Sequence, residues 1–229
     1  MATTPYFSSK LFTFLKDLKA NNDRDWFNDN KPRYEKEVKE AAVRFISDFA
    51  PQLGKISPHF RADPRPVGGS LFRIYRDTRF AKDKTPYKTH VGIHFRHELA
   101  KTAHAPGFYL HLEPASAFVG AGIWRPEPKV AQLIRQAIVD DPDRWKKIMK
   151  RKAFRESFSL SGDSLKRPPK GVEPDHPLID DLKRKDFIAI SDLTQKSATS
   201  SDFMKQFTAS CRGVAPLVEF ICDALSVPY

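Results

Sequence analysis

An α+β fold, an antiparallel β-meander covered by N-terminal and C-terminal helices in a single domain, is what the chain of 229 residues predicts. Three observations carry it. Apolar residues recur at helical spacing over the first fifty residues. Between about 90 and 124 the period switches to two, and from Pro126 onward helical spacing returns. With 40% apolar and 29% charged residues the chain is too apolar for disorder, and its length favours one large core over two small ones.

The N-terminal part, residues 1–53, reads as helices. Ser8 or Ser9 can cap a helix over 8–20, whose stripe is Phe7, Leu11, Phe14, Leu15 and Leu18. Asn21-Asn22-Asp23 breaks it and starts a short turn carrying Trp26 and Phe27. Pro32 then opens a longer helix to about Leu53, striped by Tyr34, Val38, Ala41, Ala42, Phe45, Phe49 and Leu53.

The sheet is expected within 56–124. Gly54–Gly69 is loop, with a short strand expected at Ile56–Arg61 and another over 70–76. Val91, Ile93 and Phe95 alternate with His90, Gly92, His94 and Arg96. Phe108, Leu110 and Leu112 alternate with Tyr109, His111 and Glu113, and Ala117, Val119, Ala121 and Ile123 complete a third strand after Pro114. Keeping the apolar faces together in an antiparallel pairing sets His94 opposite His111. Residues 126–229 are mainly helical: Pro126–Asp140, a helix after Asp141-Pro142-Asp143, and a last helix over about 200–225 with a kink expected at Gly213 and Pro216. They also hold a polar surface excursion at 157–186 and a short strand at Phe187–Ile190.

The formal charge is +11, and counted in blocks of fifty it runs +1, +6, +3 and +2, with −1 over the last 29 residues. More than half of the excess therefore lies in 51–100, which points to one anion-facing patch more than to a general nucleic-acid coat. Cys211 and Cys222, eleven residues apart on a helix, are too distant for a disulfide, so buried thiols and a cytoplasmic home are expected. No apolar run reaches membrane-spanning length, and Lys10, Lys16 and Asp17 interrupt the N-terminal apolar stretch as no secretory signal allows.

Leu71–His90 is the densest candidate. Between Arg73 and Lys88 it holds six basic residues against Asp77 and Asp83, interleaved with Tyr75, Phe80 and Tyr87. Arg73, Tyr75, Arg76, Arg79, Lys84, Tyr87, Lys88 and, from the strand, Arg96 are the expected ligand-binding residues. Arginine offers forked donors to phosphate or carboxylate, and lysine offers point charges. The bland alternative is a solvated turn in which Asp77 and Asp83 pair the cations.

The set Asn21-Asn22-x3-Trp26-Phe27, Tyr34-Glu35, Phe72-Arg73-x-Tyr75-Arg76-Asp77-x-Arg79-Phe80, Lys84-x-Pro86-Tyr87-Lys88, Gly107-Phe108-Tyr109 and Trp124-Arg125-Pro126 resembles one family. That family is the conserved hypothetical proteins of bacteria and some fungi known as domain of unknown function 2461. The resemblance runs over nearly the whole chain and implies a single-domain soluble protein. It carries over no activity, cofactor or catalytic residue.

Histidine is the second constellation, since five of the seven (His90, His94, His97, His104, His111) fall between 90 and 111. His94, Tyr109 and His111 are the candidate catalytic residues, as groups that exchange protons near neutral pH. His90, His94, His111 and Glu113 are the weak candidates for a metal, two imidazoles and a carboxylate with open positions, although no cofactor is expected. Gly120 and Gly122 clear room beside Tyr109 and His111 or mark a bulge, and Gly68-Gly69-Ser70 is a weak phosphate loop. Together these features predict a basic, aromatic pocket for a small anionic ligand, with enzymatic use open. A nucleic-acid-binding module is the second choice, and a non-catalytic interaction protein the third.

Overall fold

Five antiparallel strands in the order β1-β2-β3-β5-β4 form the centre of the computed structural model, which describes residues 4–100 and 105–229. His104 lies outside the described residues. The meander is β1 (Val91–Arg96), β2 (Gly107–Leu112) and β3 (Ala117–Ile123). β5 (Phe187–Leu193) pairs along the whole of β3, and β4 (Ser159–Ser161) closes that edge.

Alternation of apolar residues makes one sheet face the core. Ile93, Phe95, Phe108, Leu110, Val119, Phe187 and Ala189 are buried there. Helix α10 (Phe203–Ala224) lies across β3 on this face and packs on α4 (Glu40–Gly54). Phe45, Phe49, Phe95 and Phe207 meet at ring distances of 4.7–6.1 Å, each burying an aromatic side chain worth roughly 1.5–3 kcal/mol. The helix runs on through Pro216.

The N-terminal elements follow the apolar stripes: α1 (Ser9–Ala20), α2 (Arg24–Asp29), capped by Asp23 accepting from the Trp26 N–H at 2.9 Å, and α3 (Lys31–Arg33). A π-helical segment, Tyr34–Lys39, then leads into α4. Val38 and Ala42 are buried along this passage, and Tyr34 packs against the same core.

Three expectations are corrected. Ile56–Arg61 is not a strand and makes one isolated bridge, Phe60 to His97. Residues 70–76 lie against the open edge of β1 through the bridge Leu71–Ile93 without forming a full strand. The polar excursion 157–186 is not wholly superficial, because it contributes β4, the short helix α8 (Ile179–Leu182) and the buried side chains Phe158 and Leu182. Helices α5 (Pro128–Asp140), α6 (Pro142–Lys150), α7 (Lys152–Ser157) and α9 (Gln195–Ala198) complete the α+β domain. No helix among the described residues is long and apolar enough to cross a membrane.

The step Trp124-Arg125-Pro126 has a structural task. Arg125 takes φ +47°, and its N–H donates to Asp186 Oδ1 at 2.7 Å, while the Asp163 N–H donates to Oδ2 at 2.9 Å. One buried carboxylate thus pins two loops.

Candidate functional site

The face of the meander turned away from the core carries His94, Tyr109 and His111, with Gly92 and Gly120 between them. Its register corrects the pairing expected from sequence. His94 stands opposite Tyr109, and His111 stands between Gly92 and Phe118. His94 is 7% exposed, lies beside the Tyr109 ring at 6.3 Å and fills the space over Gly107, where an added methyl would meet its Nε2 at 2.4 Å.

His111 is the centre of the polar group. Its Nδ1 is 3.1 Å from the Tyr109 hydroxyl, and its Nε2 is 3.4 Å from Glu113 Oε2. One side of its ring stacks on Phe118 at 4.7 Å, and the His90 ring lies 4.4 Å away. The other Glu113 oxygen accepts from Thr89 Oγ1 at 3.2 Å and lies 3.7 Å from Lys19 Nζ. Ligand atoms of His90, His111 and Glu113 all fall within 4.8 Å of one another, the one such metal-ready group among the described residues, and His94 is not in it.

Burial sets the protonation. Loss of water lowers His90 from 6.5 to about 4, the neighbouring His111 and then Lys88 adding to the effect and Glu113 opposing it. Burial lowers His111 as well, against Glu113, and raises the Tyr109 hydroxyl. At neutral pH the group therefore holds two neutral imidazoles and a phenol.

A latch built from the motif residues positions this group. The Asn22 amide donates to the Tyr87 carbonyl at 3.0 Å, and the Tyr87 N–H donates to Asn22 Oδ1 at 3.1 Å. Phe27 stacks on Tyr87 at 4.1 Å and meets Tyr34 at 5.4 Å. Lys88, Thr89 and His90 follow Tyr87 directly, so the helices hold them against the strand face. Asn22, Thr89 and Lys19 escape sequence reasoning as site-building residues, because partners so distant in the chain leave no periodic signal.

The basic segment divides in two. Arg79 forms a two-point pair with Asp77, at 3.0 and 2.8 Å, and Arg76 pairs with Asp83 at 2.6 Å and also donates to Thr85. Lys84 Nζ donates to the Thr78 carbonyl at 2.9 Å. These three side chains tie the loop to itself. Lys88 differs: its half-buried ammonium donates to the carbonyls of Arg73 at 2.5 Å and Tyr75 at 3.2 Å. Burial and then the Arg73 charge lower its pKa. Tyr75 is half exposed against the Tyr87 ring, and Arg96 donates to the Gly68 carbonyl at 2.6 Å.

The glycines separate likewise. Gly92 lets the Tyr109 hydroxyl in, since a methyl there would lie 2.6 Å from it. Gly122, at φ +117°, marks close backbone approach, because a methyl would reach the Phe187 carbonyl oxygen at 2.1 Å. Gly69 sits in a tight turn closed by the Ser70 N–H to the Asp63 carbonyl, which leaves that amide engaged within the turn.

No curated protein and no solved structure is significantly similar to the chain. A family model does match, over residues 10–220, and that span contains the Asn22–Tyr87 latch, the histidine face and the Asp186 pin; the chain belongs to the conserved hypothetical protein family DUF2461.

Proposed function

We propose that the polar face beside β1 binds a small anionic ligand, bearing phosphate or carboxylate, between the Arg73–Lys88 cation pair and the group of His90, Tyr109 and His111. The observation that carries this reading is Lys88. Its ammonium is half-buried on main-chain carbonyls, with a second cation as its charged neighbour. Two like charges held together lower each other's stability, and an anion between them removes the repulsion. The cations of Arg76 and Arg79 are already spent on Asp83 and Asp77, so they build the loop and Arg73 and Lys88 face the ligand. Where chemistry follows binding, neutral His90 or His111 takes up a proton and the cations orient the anion.

Thermal stabilisation by inorganic phosphate and by a panel of phosphate esters and dicarboxylates tests this. A ligand at about 100 times its Kd stabilises by about 2.7 kcal/mol, roughly 5–10 °C for a chain of this size. The shift is expected to vanish in Arg73→Gln and to survive in Arg79→Gln. Equal shifts in both variants, or none in the wild type, overturn the reading.

A second reading, single-stranded nucleic acid, is favoured by Phe80. It is 95% exposed with the Arg79 guanidinium 5.9 Å from its ring centre, and such a ring is a stacking platform for a base. It predicts affinity that falls steeply with salt and drops in Phe80→Ala.

A further inference from the structure

We propose that His90, His111 and Glu113 form a divalent transition-metal site of the two-histidine, one-carboxylate type, whose open positions take an oxygen of the anion; this last clause rests on the ligand reading above, the metal site itself does not.

The geometry argues for a built site. An ion about 2.1 Å from each ligand in tetrahedral arrangement sets its ligand atoms about 3.4 Å apart. His111 Nε2 and Glu113 Oε2 already stand at 3.4 Å, and His90 completes the set within 4.8 Å. The excess over that separation, at most about 1.4 Å for a pair, is within the reach of side-chain rotation, and His90 lies just before β1, outside the strand.

The second atoms of two ligands are held from behind. Tyr109 holds Nδ1 of His111, and Thr89 and Lys19 hold Oε1 of Glu113, so Nε2 and Oε2 are the atoms left for the centre. That is the outer arrangement that orients metal ligands. The Tyr109 hydroxyl both donates and accepts. It therefore serves the His111 tautomer with the proton on Nε2, and equally the one with the proton on Nδ1 that metal binding requires. The His90 ring makes no hydrogen bond among the described residues, although it is largely buried.

Local charge explains why the site would remain open. One carboxylate offsets half of a divalent charge, while Lys19 Nζ lies 3.7 Å from Glu113 Oε1 and Lys88 acts on His90 from nearby. A second carboxylate ligand does not enter the group, so the coordination is completed by water or by an anionic ligand.

The test uses the full chain stripped with chelator and titrated with Co2+ alone, read by visible absorbance and calorimetry. One Co2+ per chain with the bands of a four- or five-coordinate ion is expected. Affinity should fall at least tenfold in His90→Gln and in Glu113→Gln, and about tenfold in the positioning variant Tyr109→Phe. It should stay unchanged in His59→Gln, whose ring instead meets Glu98 at 2.6 Å beyond the far end of β1. Absence of binding, or binding in His90→Gln and Glu113→Gln as tight as in the wild type, overturns the site. Anion stabilisation that persists in chelator would then remove the metal alone; metal binding without any anion shift would remove the ligand reading alone.

Discussion

Among the described residues, two clusters of two histidines and a glutamate have opposite characters. His59, His97 and Glu98 lie by the C-terminal end of β1, with the two rings 6.0 Å apart. His90, His111 and Glu113 lie at its start, with rings 4.4 Å apart. In the first cluster the fold engages both nitrogens of His97, Nδ1 of His59 and both oxygens of Glu98. The Leu99 N–H donates to His97 Nδ1 at 3.1 Å, and His97 Nε2 donates to the Pro228 carbonyl at 2.8 Å, tying the C-terminal segment to the sheet. His59 Nδ1 meets Glu98 at 2.6 Å, and Arg61 takes the other carboxylate oxygen. In the second cluster only the outer atoms are taken, and the inner ones face one another. Residue type alone does not distinguish the two clusters; their partners do, since the second engages only Nδ1 of His111 and Oε1 of Glu113 from outside and leaves the His90 ring without a hydrogen bond among the described residues.

The contrast breaks most visibly at His97. His97→Ala removes a buried ring packed on Phe60 and both of its hydrogen bonds, and should cost about 2–4 kcal/mol by chemical denaturation. His90→Ala should cost well under half of that. Equal losses would mean that both clusters are structural.

Acid acts next on the second cluster. His90 has its folded pKa depressed to about 4 from 6.5, so between those values the unfolded chain binds more protons and stability rises with pH. The contribution is complete above about pH 6.5 and is lost as pH falls through about 4. His111, also lowered, acts in the same direction. Denaturation midpoints between pH 7 and 4 should fall less steeply in His90→Gln than in the wild type; parallel curves would place the acid sensitivity elsewhere.

The smallest effect on stability sharpens the comparison most. Gly92→Ala drives a methyl against the Tyr109 hydroxyl and towards Phe72, displacing the group that holds His111 Nδ1. We expect about 1 kcal/mol of destabilisation with a larger proportional loss of Co2+ affinity. Unchanged affinity would show that Tyr109 does not position His111.

Much of the fold was legible because its signals are local. Period two over Val91–Phe95, Phe108–Leu112 and Ala117–Ile123 marks three half-buried strands. Asp23, Asp141 and the aromatic stripes mark the helices, and the family signature was readable from the same residues. The β4–β5 edge was less legible, since β4 is three residues long and shows no period. The π-helical turn left no local signal, since spacings of four also mark Phe45, Phe49 and Leu53 in the regular helix α4.

The site divides along the same line. Sequence by itself determined that basic, aromatic and histidine residues crowd into residues 70–113, and which strand face His94, Tyr109 and His111 share, because alternation is a property of the backbone. Tertiary structure alone decided the pairing. A two-residue slip in register preserves every face yet exchanges partners, setting His94 against Tyr109 and leaving His111 to His90 and Glu113. It also decided which cations are spent. Asp77 and Asp83 reach Arg79 and Arg76 across their own turn, whereas Lys88, fixed by the Asn22–Tyr87 latch, is turned onto carbonyls beside Arg73. Charge is counted along the chain, but neutralisation depends on distances of a few ångströms, and those are set by packing.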